Sequence, residues 1–339
     1  MLEVENFRTR QEFEERPLFK CCIAMGPHSV NVFSEIEDFL PYFEGKGMAY
    51  LPLIPGWKVD YFPSKSGYSI IFIPDNETRF DYANESNSLT IRGKIEDFKD
   101  GQALAYLGFW MMEAQRQRDS MVTCHAAALS ASYNNGILLL GERGDGKTSV
   151  ALALGRNYGY KLLANDLAIV GYNKEVRSAT IYGGTKIFGL RLSAIRERFP
   201  ELLYLFSDQT QRSWTTKATV YPETIGIKVE NNPQPLKKAF MVHLDSTKTD
   251  KLSIYRMDDL WVRNYLYENF SRYLRATAIV AFGGKSGDFL DYIQSLDSRE
   301  FHENRLQLIR HLINNIEIWN VSSGNLNEIC ETIRASILQ

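Results

Sequence analysis

The sequence has few cysteines, no long apolar run and no excess of charge of either sign. Its four cysteines show no C-x-x-C spacing, so a cysteine metal site is not indicated. No apolar stretch approaches the roughly 20 residues needed to span a bilayer. The acidic start, Met1 to Glu5, lacks the basic and apolar regions of a signal peptide. The formal net charge of −2 argues against a nucleic-acid-binding protein. We therefore expect a cytoplasmic protein with neither a membrane nor a nucleic acid as partner.

Length and composition predict a folded chain of two parts. The 339 residues are 44% hydrophobic and 24% charged, which is ordinary for a globular protein. Strand-like runs such as Tyr68 to Ile73 and Ser88 to Arg92 indicate a β-rich N-terminal module over residues 1–101. The charged residues 1–18 are expected to form a surface helix or arm. Cys21-Cys22 is expected in a buried strand, with a ligand pair as the alternative.

Strand and helix patterns alternate after residue 137, which favours an α/β core for the domain over residues 102–339. A helix that links the two parts is expected over Gln102 to Arg118. The other expected helices cover 147–156, 191–205, 258–276, 301–314 and 325–338. The expected strands cover 123–132, 137–140, 161–164, 167–172, 238–244 and 316–321. In the helix expected over 258–276, Tyr265 is one of the apolar anchors. Residues 207–219, which include Arg212 and Lys217, are expected to form an exposed loop that either closes over phosphates or is simply solvated.

An eight-residue motif, Gly141-Glu142-Arg143-Gly144-Asp145-Gly146-Lys147-Thr148, follows the apolar run Ile137 to Leu140 and leads into a helix pattern. This is G-x-x-x-x-G-K-[ST] in the strand-to-helix context of a phosphate-binding loop. Its glycines allow a tight curl, so that backbone N–H groups and the helix N-terminus form an anion cradle. The predicted cofactor-binding residues are Gly141, Arg143, Gly144, Asp145, Gly146, Lys147, Thr148 and Ser149. The alternative is a glycine-rich turn that binds nothing.

Two side chains of the motif have predicted roles in binding ATP, or another nucleoside triphosphate, with Mg²⁺. Lys147 would reach the β- and γ-phosphates, and the Thr148 hydroxyl would ligate the metal. Asn165-Asp166 ends the apolar run at 161–164, where Mg²⁺ or an attacking hydroxyl needs a carboxylate. The alternative there is a turn-forming pair. The predicted metal ligands are thus Thr148, Asp166 and, through its carbonyl oxygen, Asn165.

His125 becomes a candidate through a predicted hairpin. Asn135-Gly136 between two apolar runs is a hairpin signal. The hairpin would bring His125 close to the end of the strand that feeds the loop. Histidine serves readily as an acid or a phosphate partner, although a structural role is the alternative. Gly183-Gly184-Thr185-Lys186 is a further glycine-rich segment that either approaches the substrate or is simply a turn.

Three segments in order suggest a relative. His125-Ala126-Ala127-Ala128, the loop Gly141 to Thr148, and Gly159 to Asp166 together resemble the catalytic core of HPr kinase/phosphorylase-type proteins. The fold of that family is related to phosphoenolpyruvate carboxykinase. The pattern is similar in particular to the HPr-kinase-like proteins of peptide biosynthesis systems, including those that phosphorylate lasso precursor peptides. The match covers about residues 121–192.

The resemblance implies a P-loop kinase core that transfers a phosphoryl group from a nucleotide to a serine hydroxyl with Mg²⁺ or Mn²⁺. It implies catalytic roles for Lys147, for His125 and for Asp166, which matches the second acid of the family's Asp-Asp pair. Two departures stand out: Asn165 replaces the first acid, and the family's downstream glutamate segment is not evident near Gly183 to Lys186. Asparagine cannot act as a base, but a loose phosphoryl-transfer transition state depends chiefly on positioning and charge neutralisation.

The expected function is that of an ATP-dependent kinase acting on a serine or threonine hydroxyl of a peptide or protein, with the β-rich module holding the acceptor. A biosynthetic precursor peptide would be one such acceptor. Two alternatives stay open: a kinase of a small-molecule hydroxyl, and a nucleotide-binding sensor or assembly module without turnover, which Asn165 favours. The oligomeric state, a homo-oligomer included, is also open.

Overall fold

The computed structural model describes residues 19–38, 56–62, 64–98, 102–132, 134–173, 175, 177–210, 216–245, 252–275, 282–283, 288–289 and 293–338. The helix or arm expected over 1–18 lies outside these residues. Contacts divide the chain into two compact units. The first comprises Met1–Leu51, Gly56–Gln115 and Arg272–Asp297, and the second comprises Pro52–Pro55, Arg116–Ser271 and Ser298–Gln339. This division falls inside the helix that starts at Gln102, whereas the sequence suggested residue 101.

The first unit is built on a six-stranded sheet in the order β3-β1-β2-β4-β6-β5. Its strands are β1 (Phe19–Met25), β2 (His28–Ser34), β3 (Trp57–Asp60), β4 (Ser69–Pro74), β5 (Arg79–Ala83) and β6 (Ser88–Gly93). The predicted strands at 68–73 and 88–92 are confirmed as β4 and β6, which alternate buried and more exposed residues as half-buried strands do. Cys21 and Cys22 are buried in β1, as expected.

Helix α1 (Gln102–Arg118) has the predicted bounds. The apolar stripe that predicted it is buried, as Leu104, Leu107, Trp110, Met111 and Ala114 all have at most 2% of their surface exposed. The stripe is therefore core packing, as its helical spacing indicates. Within the first unit, the Trp110 indole N–H also donates to the Leu274 carbonyl over 3.1 Å.

The second unit contains the predicted α/β arrangement of mixed sheets and helices. Its strands are β7 (Met121–His125), β8 (Ala127–Ser132), β9 (Asn135–Leu140), β10 (Lys161–Ala164), β11 (Leu167–Asn173), β12 (Ser178–Gly184), β13 (Phe188–Arg191), β14 (Lys217–Val220), β15 (Gln234–Leu244), β16 (Ser253–Arg256) and β19 (Glu317–Ser323). Two short strands of the first unit, β17 (Phe282–Gly283) and β18 (Asp288–Phe289), pair with each other. The helices of the second unit are α2 (Lys147–Tyr158), α3 (Leu192–Arg198), α4 (Asp259–Ser271), α5 (Arg299–Asn315) and α6 (Leu326–Leu338).

The main sheet of the second unit runs β10-β8-β9-β15-β12-β11-β7, with β19 also on β15 and β16 on β19. The central strands β9 and β15 are parallel, so their carboxyl ends lie at the same edge. Two apolar clusters flank the sheet: one includes residues of α2 and α6, and the other includes residues of α4 and α5. This arrangement brings the loop after β9 and the end of β15 together at one edge, where polar side chains can converge.

Four local predictions are wrong. The helix expected over 258–276 ends at Ser271. The single strand at 123–132 is two strands separated at Ala126, because β7 pairs with β11 whereas β8 pairs with β9 and β10. The helix at 191–205 ends at Arg198 and continues as a 3-10 helix over Pro200–Leu205, since a proline lacks the N–H that an α-helix needs. In the loop at 207–219, Lys217 begins β14, and Arg212 lies outside the described residues.

Among the described residues, none of the helices combines the length and the apolar character required to cross a lipid bilayer.

Candidate functional site

The segment between β9 and α2 is a tightly curled loop. Gly141, Gly144 and Gly146 have φ angles of 142°, 105° and 91°, a region that side-chain-bearing residues rarely occupy. At two of these positions a side chain would also clash with neighbouring atoms, so glycine is required for steric reasons. A Cβ at Gly141 would lie 2.8 Å from the carbonyl oxygen of Val242, and one at Gly146 would lie 2.6 Å from the Leu244 Cβ. The motif glycines therefore let the loop pack closely against the end of β15.

Lys147 is buried at the start of α2, and its side chain turns back over the loop. Its Nζ donates to the carbonyl oxygens of Gly141 at 2.8 Å and Glu142 at 2.9 Å. Glu142, Arg143 and Gly144 are exposed, whereas Ser149 is buried in the first turn of the helix. The ammonium group is thus held against the first residues of the loop by two backbone carbonyls.

The carboxylate of Asp145 braces the loop from within. Its Oδ2 accepts from the Glu142 backbone N–H at 2.6 Å, and its Oδ1 lies 3.1 Å from Nδ1 of His243. The Asp145 carbonyl accepts from the Leu244 N–H at 2.9 Å. These bonds join the loop to the end of β15. The sequence assigned Asp145 to cofactor binding, but it did not suggest the contact with His243, which depends on the pairing of two distant strands.

The strand β10 leads to the predicted Asn165-Asp166 pair, and Asn165 connects it to the loop. The Thr148 hydroxyl donates to Asn165 Oδ1 over 3.3 Å, and Asn165 Nδ2 donates to the Ile187 carbonyl over 3.0 Å. Asn165 is 2% exposed. An ionised aspartate at this position would lack the N–H donor that faces Ile187. The asparagine therefore satisfies a buried carbonyl, which a carboxylate would repel.

Replacing Asn165 with aspartate should destabilise the second unit by about 1–3 kcal/mol at neutral pH, because a buried carbonyl loses its donor and faces a negative charge. Burial and this acceptor should raise the pKa of the introduced carboxyl group. The deficit should therefore shrink as the pH falls and the group becomes protonated. Urea unfolding without divalent cations at several pH values measures both effects. The control Asn327→Asp, at an exposed position on α6, should stay within about 0.5 kcal/mol. A fully stable Asn165→Asp at pH 7 would exclude this role for the amide.

Asp166 and His125 meet where β10 ends and β7 ends. His125 Nε2 lies 3.2 Å from Asp166 Oδ1. Asp166 has a φ of 72°, and its carbonyl accepts from the Ala126 N–H over 3.1 Å. The Asp166 side chain is 51% exposed, and although partial desolvation acts to raise its pKa, the hydrogen bond and charge of His125, with the charges of Lys147 and Lys217, hold that pKa below its ordinary value. The carboxylate is therefore ionised at neutral pH.

The segment Gly183 to Lys186 is hydrogen-bonded to the Asn165-Asp166 turn and to the residues that flank it. Thr185 accepts from the Asn165 N–H at 2.7 Å through its carbonyl and donates to the Leu167 carbonyl over 3.0 Å. Lys186 Nζ donates to the carbonyls of Leu163 at 2.5 Å and Glu230 at 2.7 Å. Burial lowers the pKa of Lys186 to about 8, although the negative charge of Glu230 acts to raise it. Of the two alternatives for this segment, these contacts favour a structural turn over contact with a substrate.

Replacing Gly184 with alanine should destabilise the second unit by about 3 kcal/mol or more. The added Cβ would lie 2.0 Å from the Leu167 carbonyl oxygen and 2.6 Å from the Ala164 Cβ, so the turn holding Asn165 and Asp166 would have to shift. Urea unfolding of the purified variant checks this value. Gly189→Ala is the matched control, because a Cβ there meets nothing within 4 Å. Equal stabilities of the two variants would refute the close approach at Gly184.

Two residues of α4, missed as functional candidates, join the loop to His125. The Tyr265 hydroxyl lies 3.0 Å from both the backbone nitrogen and the carbonyl oxygen of Gly141, accepting from the first and donating to the second. Asn269 Nδ2 donates to Tyr265 over 3.3 Å, and Asn269 Oδ1 accepts from the His125 N–H over 2.8 Å. Burial raises the pKa of Tyr265 to about 12, so the hydroxyl keeps its proton. In the sequence, Tyr265 resembled an apolar anchor because it lies among apolar residues of its helix. The i, i+4 spacing of Tyr265 and Asn269, which puts both side chains on one helix face, was the available signal of a shared polar role.

Potential metal ligands are oxygen atoms, as Mg²⁺ prefers. The contact between Thr148 and Asn165 puts two such oxygens together, with Asp166 next in the chain. Within the described ranges there is no group of three or more His, Cys, Asp or Glu side chains arranged to hold a metal ion. Mg²⁺ usually takes only one or two protein ligands and completes its shell with water and substrate phosphates. The donor set therefore fits Mg²⁺ bound together with a phosphorylated ligand.

Comparison with protein-family models gave no match to this chain, and a search of curated proteins found no similar sequence.

Proposed function

We propose that the chain is an ATP-dependent kinase that phosphorylates a serine or threonine hydroxyl of a peptide or protein. One observation carries the proposal: Asn165 contacts Thr148 of the loop while its neighbour Asp166 contacts His125. The residue that contacts the proposed nucleotide-binding loop is thus next in the chain to an acidic group suited to an acceptor hydroxyl. The resemblance to the HPr-kinase-like core is the second support, and it is the reason for choosing a polypeptide acceptor.

In the proposed reaction, the loop N–H groups and Lys147 hold the β- and γ-phosphates. The acceptor oxygen attacks the γ-phosphorus, the bond to the β-phosphate bridging oxygen breaks, and ADP leaves. Asp166, ionised at neutral pH, orients the hydroxyl and receives its proton, while His125 holds the carboxylate in place. Mg²⁺, held by Thr148, Asn165 and the phosphates, would neutralise the charge that develops on the phosphate oxygens.

A nucleotide-binding module without turnover is the second candidate. Asn165 favours it, because the amide leaves a single carboxylate, Asp166, in the predicted pair. A kinase of small-molecule hydroxyls would use the same loop and differ only in the acceptor pocket.

Incubation of the full chain with γ-labelled ATP, Mg²⁺ and candidate acceptors tests these proposals. The acceptors are short peptides encoded beside the gene, particularly any with a serine near the end, and a pool of small hydroxyl compounds. Label on a peptide serine or threonine supports the proposed kinase. Label on a small molecule overturns the polypeptide acceptor and leaves the kinase chemistry. Binding of ATP without any consumption overturns both kinase readings and supports the module without turnover.

A further inference from the structure

The two-stranded ribbon formed by β13 and β14 stands apart from the main sheet of the second unit. The strands are antiparallel, and their register places Arg191 directly opposite Lys217. The Leu192 N–H donates to the Thr216 carbonyl over 3.0 Å, which closes the ribbon at this end. One end of the ribbon therefore presents two cationic residues side by side.

The ribbon is anchored to the elements that form the candidate site. Ile187, immediately before β13, accepts the hydrogen bond from Asn165 Nδ2 at 3.0 Å. Phe188 and Leu190 of β13 are buried in the same apolar cluster as Val150 of α2. Since β13 is fixed at its start to the Asn165-Asp166 turn and along its length to the loop helix, its last residue is held in a defined position relative to the loop.

The two cationic side chains of the ribbon interact electrostatically with Arg143 of the loop and with the Asp166 carboxylate. Burial and then the charge of Arg143, an exposed loop residue, lower the pKa of Arg191. Lys217 and Lys147 both act on Asp166, where their charges lower its pKa. The Arg191–Lys217 pair, on a ribbon whose start is hydrogen-bonded to Asn165, therefore adds to the positive charge of Arg143 and Lys147 in the loop. The Asp166 carboxylate offsets part of this positive charge, and the oxygens of a bound phosphate would offset more of it.

We propose that Arg191, with Lys217 beside it, binds the terminal phosphate of the nucleoside triphosphate held by the loop. The inference rests on the proposed nucleotide binding. The guanidinium group offers paired donors that match phosphate oxygens, and such charge-assisted bonds are about twice as strong as neutral ones. Neither residue belongs to the loop motif, so each provides a contact that selects for a third phosphate and stabilises the charge on the transferring group.

The test compares the dissociation constants of MgATP and MgADP by calorimetry on the full chain. Arg191→Gln should weaken ATP binding by about 10- to 100-fold and change ADP binding by less than about threefold. Arg191→Lys should recover part of the loss, because it keeps the charge without the paired geometry. Lys217→Gln, at an exposed position, should change ATP binding in the same direction and is the substitute test if Arg191→Gln does not fold.

The matched control is Arg196→Gln on α3, an exposed arginine that hydrogen-bonds to the Gln209 carbonyl; its ATP-to-ADP ratio should equal that of the unaltered chain. An unchanged ratio in both Arg191→Gln and Lys217→Gln overturns this inference alone, provided that the unaltered chain binds ATP. Equal losses of ATP and ADP overturn it too, since the contact would then not be with the third phosphate. If the unaltered chain binds neither nucleotide, the proposed function fails first and the inference falls with it.

Discussion

Replacing Lys147 with alanine is expected to weaken MgATP binding by at least about 100-fold. The ammonium group is buried and held by two loop carbonyls, those of Gly141 and Glu142. A triphosphate would bind the same ammonium through oxygens of two phosphates, and each charge-assisted bond contributes about 1.5–3 kcal/mol. Losing two of them corresponds to about 3–6 kcal/mol, or roughly two to four orders of magnitude in affinity.

Calorimetry with MgATP measures this loss, and thermal unfolding of the same sample separates it from a loss of structure. Lys237→Ala is the matched control, because Lys237 is exposed on β15 of the same unit. It should bind ATP as the unaltered chain does. If Lys147→Ala retains an affinity within about threefold of the control, the loop is not a phosphate cradle and the glycine-rich turn remains the correct reading.

The elements that sequence reasoning placed well are those whose signals are local. Helix α1 and the strand β10 have the expected bounds, since periodicity and turn residues fix them within a few positions. The hairpin of β8 and β9 is confirmed by its antiparallel register, although Asn135 and Gly136, the residues that predicted its turn, are the first residues of β9. Asn134, at the turn, has a φ of 61°, which asparagine tolerates better than most residues.

The elements that sequence reasoning placed poorly depend on contacts between distant segments. The separation of β7 from β8 at Ala126 reflects pairing with two different ladders, which no local pattern records. The link from Tyr265 to Gly141 joins residues 124 positions apart. The break before Pro200 is different, because the proline was visible in the sequence and should have ended the predicted helix.

For the candidate site, the sequence named residues that the fold brings together, but it did not suggest what the amide nitrogen of Asn165 does. Asn165 seemed to be a missing acid. Its amide instead donates to Ile187 while its carbonyl oxygen accepts from Thr148. A motif comparison records that an acid is absent, whereas only the fold shows that a hydrogen-bond donor is used in its place. In the proposed kinase, the acceptor half of the site therefore depends on the one remaining carboxylate, Asp166.

Replacing Asp166 with asparagine is therefore expected to leave MgATP binding within about threefold and to lower phosphoryl transfer by about 10²- to 10⁴-fold. Asparagine matches aspartate in size and tolerates the left-handed backbone, so the φ of 72° can be kept. It cannot receive a proton, and it removes the negative charge that faces His125 at 3.2 Å. Since the pKa of Asp166 lies below its ordinary 3.8, the carboxylate is available at every pH above that value. The acidic limb of the transfer profile should accordingly appear only below about pH 4.

Single-turnover transfer from labelled ATP to the acceptor peptide, measured beside the ATP dissociation constant, provides the two readings. Asp81→Asn, exposed on β5 of the first unit, is the control and should alter neither. Full transfer by Asp166→Asn would remove Asp166 from the acceptor side, and His125 would then be the group to test next. A loss of ATP binding as large as that of Lys147→Ala would mean that Asp166 acts on the nucleotide instead. Lys147→Ala and Asp166→Asn should therefore separate nucleotide binding from transfer, even though Asn165, the neighbour of Asp166, contacts Thr148 of the loop.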